Sequence, residues 1–398
     1  MTSAAASEAR SVPLPGGFHA HVANVGIKDT SLDFAIIAAD RPCRSAAVFT
    51  RSRFSGPSVV VSRQHAADGV LQAIVVVSKN ANVATGAVGT ANAQELTERV
   101  GEIAGCPAGD VLVASTGVIG RPYPMDRIRA HLDALSRPLG EQDAVAVATA
   151  MMTTDTHPKV ASAKVTTDSG QTANVVGIAK GVGMIEPDMA TMLAFVLTDA
   201  EVPLMDLRSG FHDVVDRSFN SLSIDTDTST SDTAAVMASG VAGEVDAHDF
   251  MVALQAVCTD LTRQLAIDGE GATKLLEVEV TGARDDDQAK RVAKAVVNSP
   301  LVKTAVHGAD PNWGRVAMAV GKCSDDSDIE PARTRISFGG TEVYPTGGDS
   351  PDLAELEKYL AGDEVHIGVD LGISAGHWIV YGCDLSDGYV RINADYTT

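Results

Sequence analysis

GIAKGVGMIEPDMATMLAFVLTDA, residues 177–200, is the stretch from which the fold and the chemistry are read. Glycines at 177, 181 and 183 loosen the backbone around Lys180, and Pro187 interrupts any regular element. Asp188, Met189 and Ala190 then lead directly into Thr191. From Met192 to Leu197 every side chain is apolar, which suits a strand buried on both faces. A threonine hydroxyl is a weak nucleophile unless a base sits beside it. Chain cleavage just before the threonine supplies one, because the new α-amine titrates at about 7.7–8.0, near working pH. A flexible loop ending at a threonine that opens a buried strand has the topology this device requires. A β-branched residue at a strand start is also ordinary, so the segment alone leaves both readings open.

Outward from this segment, short apolar runs alternate with amphipathic stretches, so the class is mixed α and β. Strands are expected at 70–78, 111–115, 191–197, 233–238 and 274–280. Helical spacing appears after Gly120, with Ile128, Leu132 and Leu135 on one stripe. It appears again from Asp246 to Ile267 and over 287–297, where Pro300 sets a limit. From Arg333 the texture turns to strand, and RTRISF-GG-TEVYP reads as a hairpin turning at Gly339 and Gly340. GYVRINADY at 388–396 alternates Tyr389, Arg391, Asn393 and Asp395 with Val390, Ile392 and Ala394, a strand pattern with one buried face. A boundary near residue 281 divides the chain into a layered α/β catalytic domain, 1–280, and a smaller C-terminal α/β domain, 281–398.

Lys and Arg number 31 against 52 for Asp and Glu, a formal charge of −21 that argues against nucleic acid as partner. The first residues lack the apolar core of a secretory signal, and no apolar run reaches membrane-span length. Cys43, Cys106, Cys258, Cys323 and Cys383 are odd in number, scattered and without a CxxC pair, so they read as reduced thiols of a cytoplasmic protein.

Several familiar constellations fail. Gly321-Lys322 lacks the upstream glycine of a phosphate-binding loop, and His19 with His21 has no third metal ligand. Asp225-Thr-Asp227 begins like a calcium loop, but Thr230 and Val236 stand where glycine and glutamate are needed. Gly372-Ile-Ser374-Ala-Gly376 fits GxSxG literally, yet strand-like sequence follows it rather than a helix, and a hairpin turn is the better reading.

Long motifs occur in order: ASTGVIG at 114–120, MTTDT at 152–156, GIAKGVGMIEPDMATML at 177–193 and SIDTDTSTSDT at 223–233. DGEGATKLLEV at 268–278, NSPLVKTAVHGADPNWGR at 298–315 and YVRINADYTT at 389–398 complete the set. From Gly16 to Thr398 the chain resembles the ornithine acetyltransferase family, the self-cleaving glutamate N-acetyltransferases. Within it the sequence looks most like the paralogue of clavulanic acid clusters, especially in STSDT, GKCSDD and the tail. Ala81-Asn-Val-Ala-Thr-Gly86 departs from the ANACTG of arginine-pathway members.

The resemblance implies a layered αββα-like fold of the N-terminal-nucleophile, aminopeptidase-like kind. It implies cleavage between Ala190 and Thr191 into an α chain, 1–190, and a β chain, 191–398, with Thr191 as nucleophile. Thr116 and Gly117 match the oxyanion site; a hydroxyl and a backbone N–H after strand 111–115 can aim two donors at one oxygen. Thr154, Lys180, Glu270, Asn393 and Thr398, together with Thr191, match substrate-binding positions. Lysine and threonine suit a substrate carboxylate, and Glu270 suits an ammonium. Asp310–Arg315 reads as a rigid turn with an aromatic anchor, and Asp225–Asp232 as a brace for the core.

The leading function is therefore ping-pong transfer of acetyl from N-acetylornithine to glutamate, in arginine biosynthesis or a clavulanic acid cluster, with no cofactor and no metal. An aminopeptidase or amidase using the same threonine, and an uncleaved binding-only paralogue, are the alternatives. The resemblance further implies an α2β2 heterotetramer acting on small amino acids.

Overall fold

Runs rich in valine, isoleucine and alanine form extended chain here because branched side chains fit a pleated surface buried on both sides. The computed structural model describes residues 11–135, 138–186, 192–345 and 352–395. Ala190, Thr191 and Thr398, with the rest of the 187–191 segment, lie outside these. In chain order the strands are β1 Phe18–Ala23, β2 Phe34–Phe49, β3 Val70–Val77, β4 Val111–Ser115, β5 Lys159–Thr166, β6 Thr172–Lys180 and β7 Leu193–Glu201. There follow β8 Leu222–Ser223, β9 Thr233–Glu244, β10 Leu275–Ala283, β11 Arg335–Phe338, β12 Thr341–Tyr344, β13 Glu364–Asp370 and β14 Gly376–Cys383. The fold is mixed α/β, and the chain divides into two units that interleave along the sequence.

The first unit takes residues 1–180, 192–212 and 230–257. Its sheet runs β4-β3-β2-β9-β7-β6-β5, with β1 added on β2. β2 pairs with β1 over Phe34–Ala39 and with β9 over Arg44–Phe49. Between these halves the register with β3 breaks from Ala38 to Cys43, where exposed Asp40, Arg41 and Pro42 sit. Proline and two charges cannot continue a flat buried ladder, so the sheet folds over at this point. One core cluster then joins Ile37, Ile74, Val76 and Leu112 to Val176, Ile178, Phe195, Leu197 and Met237, so the two halves of the sheet face each other. On the outer side of the first half, Ile36, Val75 and Val113 bury against Leu96, Val100 and Ile128 of the helices Gly86–Ala104 and Met125–Asp133.

The fold line fixes where the loops meet. Because it crosses the middle of β2, Phe34 and Phe49 point to the same end of the folded sheet. Val77 pairs with both Phe34 and Ser115, which brings Thr116 to that end. Thr233 pairs with Phe49 and Leu193, and Leu193 with Lys180, which brings the start of β7 and the end of β6 there too. Gly56 bridges the two sides: its N–H donates to Thr230 O at 2.9 Å, while a Cβ on it would lie 2.8 Å from Val83. Ala81, two residues before Val83, donates to Val118 O at 3.1 Å.

The second unit takes residues 181–191, 213–229 and 258–398. Its sheet runs β12-β11-β13-β10-β14-β8. The helix Asp286–Val297 starts where the Asp285 side chain accepts from Gln288 N, and it buries Ala289, Val292, Ala293 and Val296 against the sheet. Residues 213–229 belong here because β8 pairs with β14 and Trp378 Nε1 donates to Ser221 Oγ at 2.7 Å. Residue 281, where the sequence suggests a boundary, lies inside β10.

Two local readings change. Gly372–Gly376 is no hairpin turn, since β13 and β14 flank β10 rather than each other, and the loop crosses its end with Ile373 N donating to Gly282 O. No helix follows it, so no nucleophile elbow forms. The tail is a helix, Asp387–Asp395, not a strand. None of its side chains is buried, Val390 being 64% exposed, so the alternation of apolar residues had no buried face to report. Asp387 in its first turn pairs with Arg391 at 2.8 Å, an i,i+4 contact that helix geometry allows.

Candidate active site

In the first unit the central strand β7 lies between β6 and β9, and its entry is fixed residue by residue. Met192 N donates to Asp232 Oδ1 at 2.8 Å, and Thr233 N donates to Met192 O at 3.2 Å. The residue after Thr191 is thereby pinned on both its polar groups by the Ser231-Asp232-Thr233 end of the 223–233 motif.

Lys180 ends β6 only 2% exposed, and Lys159, opening β5, is fully buried. Burying an ammonium is unfavourable unless an anion and hydrogen-bond acceptors surround it. Asp155 is that anion: Lys159 Nζ lies 2.8 Å from Oδ1 and Lys180 Nζ 3.7 Å from Oδ2. Thr153 completes the cluster, its N–H donating to Asp155 Oδ2 and its hydroxyl accepting from Lys180 Nζ at 2.8 Å. Thr154 sits between these two anchors. Burial alone would raise the Asp155 carboxyl, but Lys180 and Lys159 outweigh it and hold it well below the usual carboxylate range. Lys28, which donates to Met152 O at 2.7 Å, is pushed down to about 8, first by burial and further by Lys180 and Lys79, although Asp33 and Asp155 oppose this. Two buried ammonium groups meet the Asp155 carboxylate at this end of the sheet, and Lys180 lies within reach of the strand that Thr191 precedes.

At the end of β4, Thr116 N donates to Val77 O at 3.1 Å, which fixes the residue to the end of β3. Gly117 has φ +126°, and a Cβ there would lie 2.3 Å from the Lys79 carbonyl carbon. Only glycine fits. Among the described residues neither the Thr116 hydroxyl nor the Gly117 N–H finds a hydrogen-bond partner, although Thr116 is buried. Two adjacent donors without partners suit an oxygen that acquires charge.

In the second unit Glu270 follows the long helix Ala247–Ile267, and its N–H donates to Val182 O at 2.8 Å. Its carboxylate lies against Gly183, where a Cβ would come within 2.5 Å of Oε2. Asn393, on the tail helix, donates from Nδ2 to Glu270 Oε2 at 2.8 Å. Asp225 holds the same loop, accepting from Met184 N and Ile185 N at 2.7 Å each. The structure thus brings Thr116, Gly117, Thr154, Lys180 and the β7 entry to one end of the first unit, and Glu270 and Asn393 together in the second.

Sequence reasoning passed over Asp155 and Lys159. Their spacing of four residues was a usable signal, since a lysine at the start of an apolar strand needs a counter-charge nearby. Asp310–Arg315 begins the helix Trp313–Gly321, with Asn312 capping it and Trp313 stacked on Tyr344 at 5.0 Å.

A strand-end pair of donors and a dry cationic cluster belong together in an acyltransferase, an enzyme that passes an acyl group from one amine to another. The ArgJ family signature matches residues 19–398. Glutamate N-acetyltransferase Oat2 of Streptomyces clavuligerus is 56% identical over 390 residues, 96% of this chain and 98% of its own. The arginine biosynthesis bifunctional protein ArgJ of Rhodococcoides fascians is 54% identical over 389 residues, 96% and 94% of the two chains. Among solved structures, the ArgJ protein of Bacillus halodurans is 42% identical with a TM-score of 0.47, covering 51% of this chain and 98% of that one. The chain belongs to the ArgJ family. Among the described residues no helix is long and apolar enough to cross a membrane.

Proposed function

We propose that this protein is a glutamate N-acetyltransferase of arginine biosynthesis, taking acetyl from N-acetylornithine and giving it to glutamate. The observation that carries the reading is the pair of donors at Thr116 and Gly117, set at the end of the sheet where β7 begins. Cleavage of the Ala190–Thr191 bond frees the Thr191 α-amine. That amine takes the hydroxyl proton as Oγ attacks the acetyl carbonyl, whose oxygen turns negative against Thr116 and Gly117. The carbon–nitrogen bond then breaks, ornithine leaves with the proton, and an acetyl ester stays on Thr191. The amine of glutamate attacks the ester by the same steps in reverse and restores the hydroxyl. Of the substrate-binding positions, Lys180 and Thr154 suit the substrate carboxylate and Glu270 suits its ammonium, while Asn393 and Thr398 match the family's tail residues.

The chemistry needs no cofactor or metal. Ornithine acetyltransferase resemblance also supports an α2β2 assembly, a cytoplasmic setting and an αββα-like layering of the larger domain, with a smaller C-terminal domain beside it in the chain. Val83 and Ala84, the two departures from ANACTG, support a clavulanic acid cluster as the alternative pathway setting.

Exchange measurements decide between transfer and hydrolysis. With N-acetylornithine and glutamate, N-acetylglutamate should accumulate in step with ornithine. Ornithine release at the same rate with water alone would make the protein a hydrolase.

Thr116→Val removes one hydroxyl at nearly constant volume. Turnover should fall on the order of a hundredfold or more, as for loss of one such donor. The Michaelis constant should move far less, because the charge develops mainly in the transition state. Equal loss in melting temperature and turnover would make Thr116 a structural residue.

A further inference from the structure

Asp384 follows β14 and lies three residues before the tail helix, and its side chain is wholly out of solvent. Four donors converge on its carboxylate: Thr273 N at 2.7 Å, Lys274 N at 2.9 Å, the Thr273 hydroxyl at 2.5 Å and His307 Nδ1 at 2.7 Å. Burial by itself would raise this carboxyl, but the hydrogen bonds from Thr273, His307 and Lys274 hold it below the ordinary range. Three of the four donors belong to the loop that carries Glu270. The fourth comes from the end of the helix Pro300–His307, whose Lys303 Nζ also donates to Cys383 O at 2.6 Å.

The same loop is seated on the root of the tail. The Ser386 hydroxyl donates to Gly271 O and accepts from Gly388 N at 3.0 Å. Gly271 has φ +72°, and a Cβ on it would lie 2.3 Å from Tyr389 N, so the two backbones touch where only glycine allows it. From this seat Asn393 reaches the Glu270 carboxylate. Glu270 is therefore held from the side of its own loop and from the tail, and both supports start at Asp384.

We propose that Asp384 is a positioning residue for acetyl transfer: it fixes the Glu270 loop and the root of the tail helix to one point, and so sets where the Glu270 carboxylate meets the substrate ammonium. This rests on the substrate-binding role given to Glu270 above. Hydrogen bonds to a charged group are among the stronger ones in a protein, and a misplacement of about 1 Å in a positioning group changes rates by up to about a hundredfold.

The test is a double-mutant cycle on the purified full chain, read as initial rates of transfer from N-acetylornithine to glutamate. Asp384→Ala should raise the Michaelis constant for N-acetylornithine about tenfold while turnover changes less than about threefold, with cleavage into two chains retained. Asp384→Asn keeps the volume and one oxygen for the two backbone N–H groups, so it should fold and recover most of that loss. Combined with Glu270→Gln, Asp384→Ala should add less than about twofold beyond Glu270→Gln alone. Full multiplication of the two effects, wild-type kinetics in both Asp384 variants, or an Asp384→Asn variant no better than Asp384→Ala would overturn the proposal. Glu270→Gln with an unchanged Michaelis constant would overturn it together with the substrate role of Glu270.

Discussion

Thr191→Ala yields a single unbroken chain on a denaturing gel and loses acetyl transfer by on the order of 10⁴-fold or more, the scale seen when a covalent nucleophile is removed. One hydroxyl serves both events. In the proposed mechanism it attacks the Ala190 carbonyl during processing and the acetyl carbonyl during turnover. The structure restricts what else the substitution can disturb. Met192 stays tied to Asp232 and Thr233, and β7 stays paired with β6 and β9, so the fold has no reason to change. Circular dichroism and melting temperature should match those of the wild type. Thr191→Ser, which loses only a methyl group, should retain part of both activities. A Thr191→Ala protein that still transferred acetyl at the wild-type rate would require a different nucleophile.

Asp155→Ala should destabilise the protein by about 3–5 kcal/mol, because it removes the buried carboxylate that both the Lys159 and the Lys180 ammonium groups contact. Lys159 has no route to water, and Lys180 almost none. Urea unfolding should show the drop as a lower midpoint at an unchanged slope. Replacing Asp155 and Lys159 together with leucine and methionine removes the Lys159 charge with its partner and should recover part of the loss, the remainder being the cost of Lys180 without Asp155. Substrate binding should not recover, since the Thr153–Asp155 turn loses its anchor on Lys180. A wild-type midpoint for Asp155→Ala would show that the charges are solvated after all. The acid dependence carries a definite sign. Asp155 is held below its unfolded range near 3.9, so its contribution is present above that pH and lost as pH falls further. Wild type and Asp155→Asn should therefore converge in stability at strongly acid pH.

The buried strands β3, β4 and β7 were legible because their unbroken apolar runs of four or five residues suit a strand buried on both faces. β2 was not. Its sixteen residues carry Asp40, Arg41 and Pro42 in the middle, and local sequence cannot tell a fold-over from two separate strands. That fold-over brings Thr116 and the start of β7 to one end, so the assembly of the site was readable only through motifs. Thr116, Gly117, Lys180 and Glu270 could be named because each sits inside a long motif. Asp155 and Lys159 escaped because their importance depends on a burial that no local pattern reports. The tail was misread for the opposite reason: Val390 and Ile392 are apolar yet face solvent, and periodicity presumes that apolar residues are hidden.

The position of β7 in the sheet has a consequence for the protein after cleavage. With the cut proposed between Ala190 and Thr191, its neighbours β6 and β9 fall on opposite sides: β6 in the chain that would end at Ala190, and β9 in the chain that would start at Thr191. β2, paired with β9, also belongs to the first chain. Once the bond is broken, the two polypeptides are held by ladder hydrogen bonds and a shared core at the centre of one sheet. They cannot part without unfolding. What was a unimolecular folding reaction becomes, in reverse, an association between two strangers in solution, so refolding from the denatured state turns second order and stability comes to depend on protein concentration. Maturation thus makes the fold easy to keep and hard to regain.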